Sequence, residues 1–486
     1  MGEEEEAPLQ TNCVKEEEDM SSSSRSDKSS MFWEEMKRVS RMAAPMVAIT
    51  VCQYILQVVS MMMVGHIHGN NLSFSAVAIA TSFAEATGFG VLQAMASALE
   101  TLCGQNYGAE EYSKLGNYTC CAIITLMLVC VPISVVWIFI DRILLLFGQD
   151  PLICEAARIY CIYLIPALFG YAVLQSLVRY LQTQSMMFPM VLCSSVVLCL
   201  HIVLCWILVF RLGLGHVGAA LAIGISYWIN VIGLGLYAYY SSACEKTRIV
   251  FSTKALLCIG EFLQYALLDS CFALNGGPLI YSYYLLGIYL THMLKLVFYL
   301  YGGLNTTTLH YFIPYAVGAV ASTRVSNEVG AGNPKRAENV VGVVLVLAIA
   351  DSLVFCTSLL FGGRILGYAY SNDKQVIQYV AQMVPLLCLS VIADSLVGIL
   401  SGISIGGGYQ RMGAYVNLGA YYVVGGPMAA FLGFRVHFGA KGLWLGMLIA
   451  SILQVIILIT LVTALMDFGP NTCFLNSRSA GLCQLF

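Results

Sequence analysis

The chain of 486 residues is 59% hydrophobic and only 10% charged, with a net charge of −3, against roughly a quarter charged for a soluble domain. So little charge excludes a water-soluble globule, and with no basic face of useful length nucleic acid drops out as a partner. Apolar blocks of roughly 18–27 residues match helices crossing a hydrocarbon core of about 30 Å, so the fold class expected is an all-α polytopic membrane protein, not a barrel.

Residues 1–30 carry acidic runs (Glu3 to Glu6, Glu16 to Asp19) and a serine run (Ser21 to Ser24), and are expected to be a disordered cytosolic tail. No segment there has the form of a cleaved leader, so the first span is expected to direct insertion. Hydropathy places spans at 43–66, 74–103, 119–140, 156–180, 186–210, 216–240, 266–302, 304–323, 339–362, 377–402, 412–434 and 440–466. These group into an N-lobe (31–245) and a C-lobe (246–470) of six spans each, followed by a short tail (471–486). Counted by alternate sides, sixteen Lys and Arg fall with the amino terminus, Arg179 and Arg324 among them, and eight on the other side. The positive-inside rule then makes both termini cytosolic. The 18 cysteines sit mostly inside apolar blocks, where they act as small hydrophobes.

The halves repeat weakly. Gln175-Ser-Leu-Val recurs as Asp394-Ser-Leu-Val, Gly108-Ala109 as Gly330-Ala331, and a turn ending in Gly218 as one ending in Gly442, at offsets of 219, 222 and 224. Six spans per half make the repeats parallel, related by a pseudo-two-fold axis along the membrane normal, with a cavity between them.

A carboxylate inside a span costs at least roughly 2.5–3.5 kcal/mol on insertion scales and asks for a function. Asp394 has no basic residue within fifteen positions and is the candidate for taking up and releasing a proton. Glu85 is a second intramembrane acid. Gln53, Gln57, Asn417 and Tyr421 are polar groups in apolar blocks, suited to lining a substrate cavity, and Pro45 is a candidate hinge. No nucleotide-binding loop, His/Glu metal spacing, or nucleophile with a base is present. The expectation is therefore no enzyme, no catalytic or metal-ligating residue and no cofactor, with an ion gradient as the energy source.

Three stretches carry a resemblance: Pro45-Met-Val-Ala through Met63-Val-Gly-His66; Met95-Ala-Ser-Ala-Leu-Glu-Thr-Leu-Cys-Gly-Gln-Asn-Tyr-Gly-Ala109; and Leu309 to Arg336 with its Ala-Ser-Thr-Arg-Val-Ser-Asn-Glu-Val-Gly-Ala-Gly-Asn-Pro core. They resemble the plant, DETOXIFICATION-type branch of the multidrug and toxic compound extrusion (MATE) transporters. The resemblance implies about twelve helices in two lobes. It implies a proton-coupled antiporter exporting organic cations, xenobiotics or secondary metabolites by alternating access. The partners would be small organic substrates, protons and the bilayer of a plasma or vacuolar membrane, the transporter acting as a monomer. By position Asp394 matches the acid of the family's tenth helix.

Between 266 and 303 the resemblance stops. The family's Glu-Trp-Trp motif of the seventh helix is absent there, although codons for Leu274-Asn275-Gly276-Gly277, read one base out of phase, can encode it. The alternative expectation is thus a transport-impaired relative whose seventh span is frame-shifted and lacks its acid.

Overall fold

In lipid the backbone satisfies its own polar groups only as helix or closed barrel, and the computed structural model takes the first route. It describes residues 7–67, 71–249, 253–273, 294–370 and 374–467, among which no strand occurs. Among the described residues, twelve longer helical segments follow one another, with short helices at Ile140–Leu146 and Thr253–Leu257 between them. In the first half they are α1 (Ala7–Gly65), α2 (Ser73–Gly108), α3 (Tyr112–Ile138), α4 (Pro151–Thr183), α5 (Met187–Arg211) and α6 (Gly215–Tyr240). In the second they are α7 (Ile259–Ala273), α8 (Leu294–Gly330), α9 (Pro334–Tyr370), α10 (Lys374–Gly406), α11 (410–435) and α12 (Ala440–Asp467). Nine of these, among the described residues, are long and apolar enough to cross a membrane.

Several expectations are corrected. The backbone is helical from Ala7, where a disordered tail is expected, because extending an existing helix avoids the cost of nucleation. The seventh helix starts at Ile259 rather than 266. The eighth runs unbroken from Leu294, absorbing the carboxy-terminal end of the seventh expected span. The centre of the atypical segment (274–293) and the tail 471–486 lie outside the described residues. Pro45 sits within α1, which continues through it.

The internal repeat is visible in the backbone itself. At one offset of 224, α5 and α11 each end in a π-helical turn, Ile207–Arg211 and Phe431–Arg435. Each is followed by a glycine in the left-handed region, Gly215 and Gly439, both at φ +56°. Gly218 then packs on the carbonyl of Leu208 and Gly442 on that of Leu432. Helix partnerships repeat as well: α4 packs on α6 as α10 does on α12, and α3 on α4 as α9 does on α10.

The lobes meet along α2 and α8, and the contact is reciprocal. A Cβ added at Gly108 would lie 1.9 Å from the carbonyl oxygen of Asn327, and one added at Gly330 would lie 2.0 Å from that of Gln105. Each glycine therefore sits on the carbonyl three residues before the other, at an offset of 222. Gly104 faces Ser326 in the same seam. Small residues here let two backbones approach as no larger side chain would. Arg324 of α8 closes the same end, its guanidinium donating to Glu35 of α1 at 2.7 and 3.2 Å and to Glu328 at 2.6 Å.

Candidate functional site

Above this seam the lobes diverge around two adjoining cavities. The outer one, of about 210 Å³, is lined by Gln53, Tyr54 and Gln57 of α1, Glu85 and Gln93 of α2, Tyr171 and Arg179 of α4, and Tyr311, Phe312 and Tyr315 of α8. The inner one, of about 270 Å³ and nearer the seam, is lined by Ser97 and Glu100 of α2, Asp269 of α7, Tyr311, Tyr315 and Gly318 of α8, and Ser401 and Gly402 of α10. Gln93, Arg179, Tyr311 and Tyr315 line both, so they form the partition.

That partition is a hydrogen-bonded layer spanning the lobes. The Tyr315 hydroxyl accepts from the Gln93 amide at 2.5 Å and from the Arg179 guanidinium at 2.9 Å. The Tyr171 hydroxyl donates to Gln93 at 3.1 Å. Arg179 is held by the buried Glu100 carboxylate at 2.6 Å and by Gln182 at 2.8 Å. Two charges in low dielectric need this pairing, since removing either would leave the other unsatisfied. Arg179 and Arg324, counted above among the Lys and Arg of the amino-terminal side, are thus both buried in ion pairs.

Glu85 opens a π-helical turn, Glu85–Phe89, in mid-α2, a distortion frequent at functional sites. The turn is held by Trp137, whose indole donates to Thr87 at 3.0 Å, and by Phe89 packing edge-on against Trp137, Tyr171 and Tyr227. Its carboxylate accepts from Gln57 at 3.4 Å and faces the outer cavity.

The expected site residues therefore divide. Gln53, Gln57 and Glu85 come together on the outer cavity. Asn417 and Tyr421 line neither cavity and are buried inside the C-lobe, a correction to their reading as substrate contacts. The Tyr421 hydroxyl serves a helix contact there, lying 3.0 Å from Ser451. Asp394 belongs to that interior cluster: Ser451 of α12 donates to it at 3.2 Å. Close by, His310 lies 2.8 Å from Asp351.

Sequence reasoning missed Asp269, Glu100 and the partition. The place of the family's Glu-Trp-Trp acid, 274–277, lies outside the described residues, and a different acid of α7, Asp269, is 1% exposed and lines the inner cavity. The signal was available as an acid in an apolar run, but it fell inside the segment set aside as atypical. Among the described residues no group of His, Cys, Asp and Glu is arranged to hold a metal ion.

Two six-helix lobes around a polar cleft that is closed at one end define a membrane transporter. The MatE family profile matches residues 45–207 and 301–431. Protein DETOXIFICATION 9 of Arabidopsis thaliana is 43% identical over 432 residues, covering 89% of each chain. Protein DETOXIFICATION 6 of the same plant is 45% identical over 449 residues, covering 92% of each. The crystal structure of the eukaryotic MATE transporter AtDTX14 superposes with a TM-score of 0.85 at 44% identity, covering 89% of this chain and 96% of that one. An outward-facing multidrug resistance MATE family transporter shares the fold at 16% identity, with a TM-score of 0.79 and the same coverage. The chain belongs to the MatE family of multidrug and toxic compound extrusion transporters.

Proposed function

We propose that this protein is a proton-coupled antiporter that exports small organic cations by alternating access between its lobes. The observation that carries the reading is the interlobe cleft. It is closed by the reciprocal glycine contact at one end and, among the described residues, bears Glu85, Glu100 and Asp269 against the one cation Arg179. A cleft with surplus carboxylate favours cations. Asp394 lies in the C-lobe beside it, accepting from the Ser451 hydroxyl with no ion pair among the described residues, which suits a group that exchanges a proton.

Lys114, Lys335 and Arg336 lie just beyond the glycine seam. By the positive-inside rule that face is cytosolic, which supports reading the open side of the cleft as the outward one and both termini as cytosolic. The protein is proposed to act as a monomer in the plasma or vacuolar membrane. The test is efflux of a fluorescent organic cation from proteoliposomes under an imposed pH gradient. Wild type should exchange substrate for protons, and Asp394→Asn, which keeps the size and the Ser451 contact but cannot ionise, should abolish gradient-driven flux. Equal flux with and without the gradient would sink the proposal.

A further inference from the structure

One buried amide joins the charge pair of the cleft to the backbone of the opposite lobe. Arg179 and Glu100 both stand on N-lobe helices, α4 and α2, so their 2.6 Å pair belongs to one lobe. Gln182, one turn beyond Arg179 on α4, is 0% exposed. Its side-chain carbonyl accepts from Arg179 at 2.8 Å. Its amide nitrogen donates to the Ala319 carbonyl at 3.0 Å and the Thr323 hydroxyl at 3.1 Å, both on α8 of the C-lobe, and to the Glu100 carboxylate at 3.3 Å. Two amide hydrogens thus serve three acceptors, and Glu100 has the longest of the three bonds. Thr323 lies one turn before Asn327, whose side chain donates to the Thr183 carbonyl at 3.2 Å and whose own carbonyl meets Gly108. Gln182 therefore stands between the cavity and the seam.

The matching contact of the other lobe is built differently. At an offset of 224 from Gln182 stands Gly406, which has no side chain. There the donors come from α2, the Thr101 hydroxyl to the Ile405 carbonyl at 2.5 Å and the Gln105 amide to the Gly406 carbonyl at 3.4 Å. Those bonds join the lobes at the orphan carbonyls of a helix end without touching Arg179 or Glu100. A cation arriving beside Glu100 competes with Gln182 for the carboxylate. The amide hydrogens then fall wholly to Ala319 and Thr323, and the seam tightens. With the cation gone, Glu100 draws one hydrogen back and the hold on α8 weakens. We infer that Gln182 is the positioning residue that couples occupancy of the cleft to closure of the seam, so that bound organic cation favours the form closed at the glycine contact. This rests on the proposed export of organic cations, and its direction suits export, because a cation loaded from the cytosolic side would close that side behind itself.

The probe is tetraphenylphosphonium, a monovalent organic cation. Its binding to the purified full-length protein is measured by calorimetry, and its effect on the seam by hydrogen exchange of segments 98–108 and 318–330. Saturating cation should raise protection of both segments in wild type by at least about fivefold, the lower end of coupling between sites. Gln182→Met, of similar length but without polar atoms, should hold that gain below about twofold and bind the cation correspondingly more weakly, since coupling is reciprocal. Gln105→Met removes a bond across the seam without touching the charge pair, so it should lower protection of the cation-free protein and keep the gain. Thr323→Val, an isosteric change from the other lobe, should reduce the gain as well, and it keeps the link testable should Gln182→Met not fold. An equal gain in wild type and Gln182→Met, an equal loss of it in Gln105→Met, or a fall in protection on cation binding would each overturn the coupling. Cation binding with no change at the seam of wild type overturns the coupling alone, whereas no cation binding at all overturns the export reading along with it.

Discussion

Gly108→Ala is the sharpest perturbation the structure offers. The added methyl would lie 1.9 Å from the Asn327 carbonyl oxygen, whereas a carbon and an oxygen approach to about 3.3 Å at closest. The two helices must then part by about 1.4 Å, and the contact is backbone, so no rotamer change relieves it. Overpacking of this kind costs about 1–3 kcal/mol, which shifts the balance between the form closed at the seam and the form open there by about 5- to 150-fold. Hydrogen exchange mass spectrometry of segments 98–108 and 318–330 reads that shift directly. Protection should fall in both segments together, because the contact is reciprocal, and Gly330→Ala should reproduce the effect. Gly342→Ala in α9 meets nothing within 4 Å and should leave protection unchanged. Unaltered exchange in both seam segments of Gly108→Ala, in a protein that still folds, would refute the claim that this contact holds the lobes shut.

Other consequences can be checked by simpler means. Arg324→Gln leaves Glu35 and Glu328 without their cation at 8–12% side-chain exposure and should cost about 3–5 kcal/mol, seen as a lower melting temperature. Adding Glu35→Gln to it should cost much less than the sum of the two single changes. Tyr315→Phe removes the one hydroxyl that Gln93 and Arg179 share and should cost about 1–3 kcal/mol, again by melting. Asp394→Asn should unfold at nearly the wild-type temperature while losing gradient-driven flux, which separates a proton site from a structural one.

How much of this was legible in the sequence follows from the range of each interaction. Helix placement is local, set by runs of apolar residues, so the second to sixth expected spans fall within several residues of α2 to α6, whereas α1 begins far ahead of its apolar run, at Ala7. The repeat was legible because it is written in the chain twice. Gly108-Ala109 and Gly330-Ala331 marked it, and the paired π-turns and glycines confirm it in three dimensions. Family membership was likewise legible, because it rests on short contiguous motifs.

What a buried polar side chain faces depends on how its helix is rotated against neighbours on other helices, and the sequence does not state that. Glu85 and Asp394 look alike as isolated acids in apolar runs. Tertiary packing turns Glu85 to the cleft and Asp394 to the hydroxyl of Ser451, and it puts Asn417 and Tyr421 inside a lobe rather than on the cavity. Arg179 reads as one more positive charge on the amino-terminal side until Glu100, 79 residues earlier, is brought to 2.6 Å. Composition and periodicity determined that the chain is a two-lobed helical bundle in a membrane. Only the packing of the lobes decided where it closes and which charges cancel.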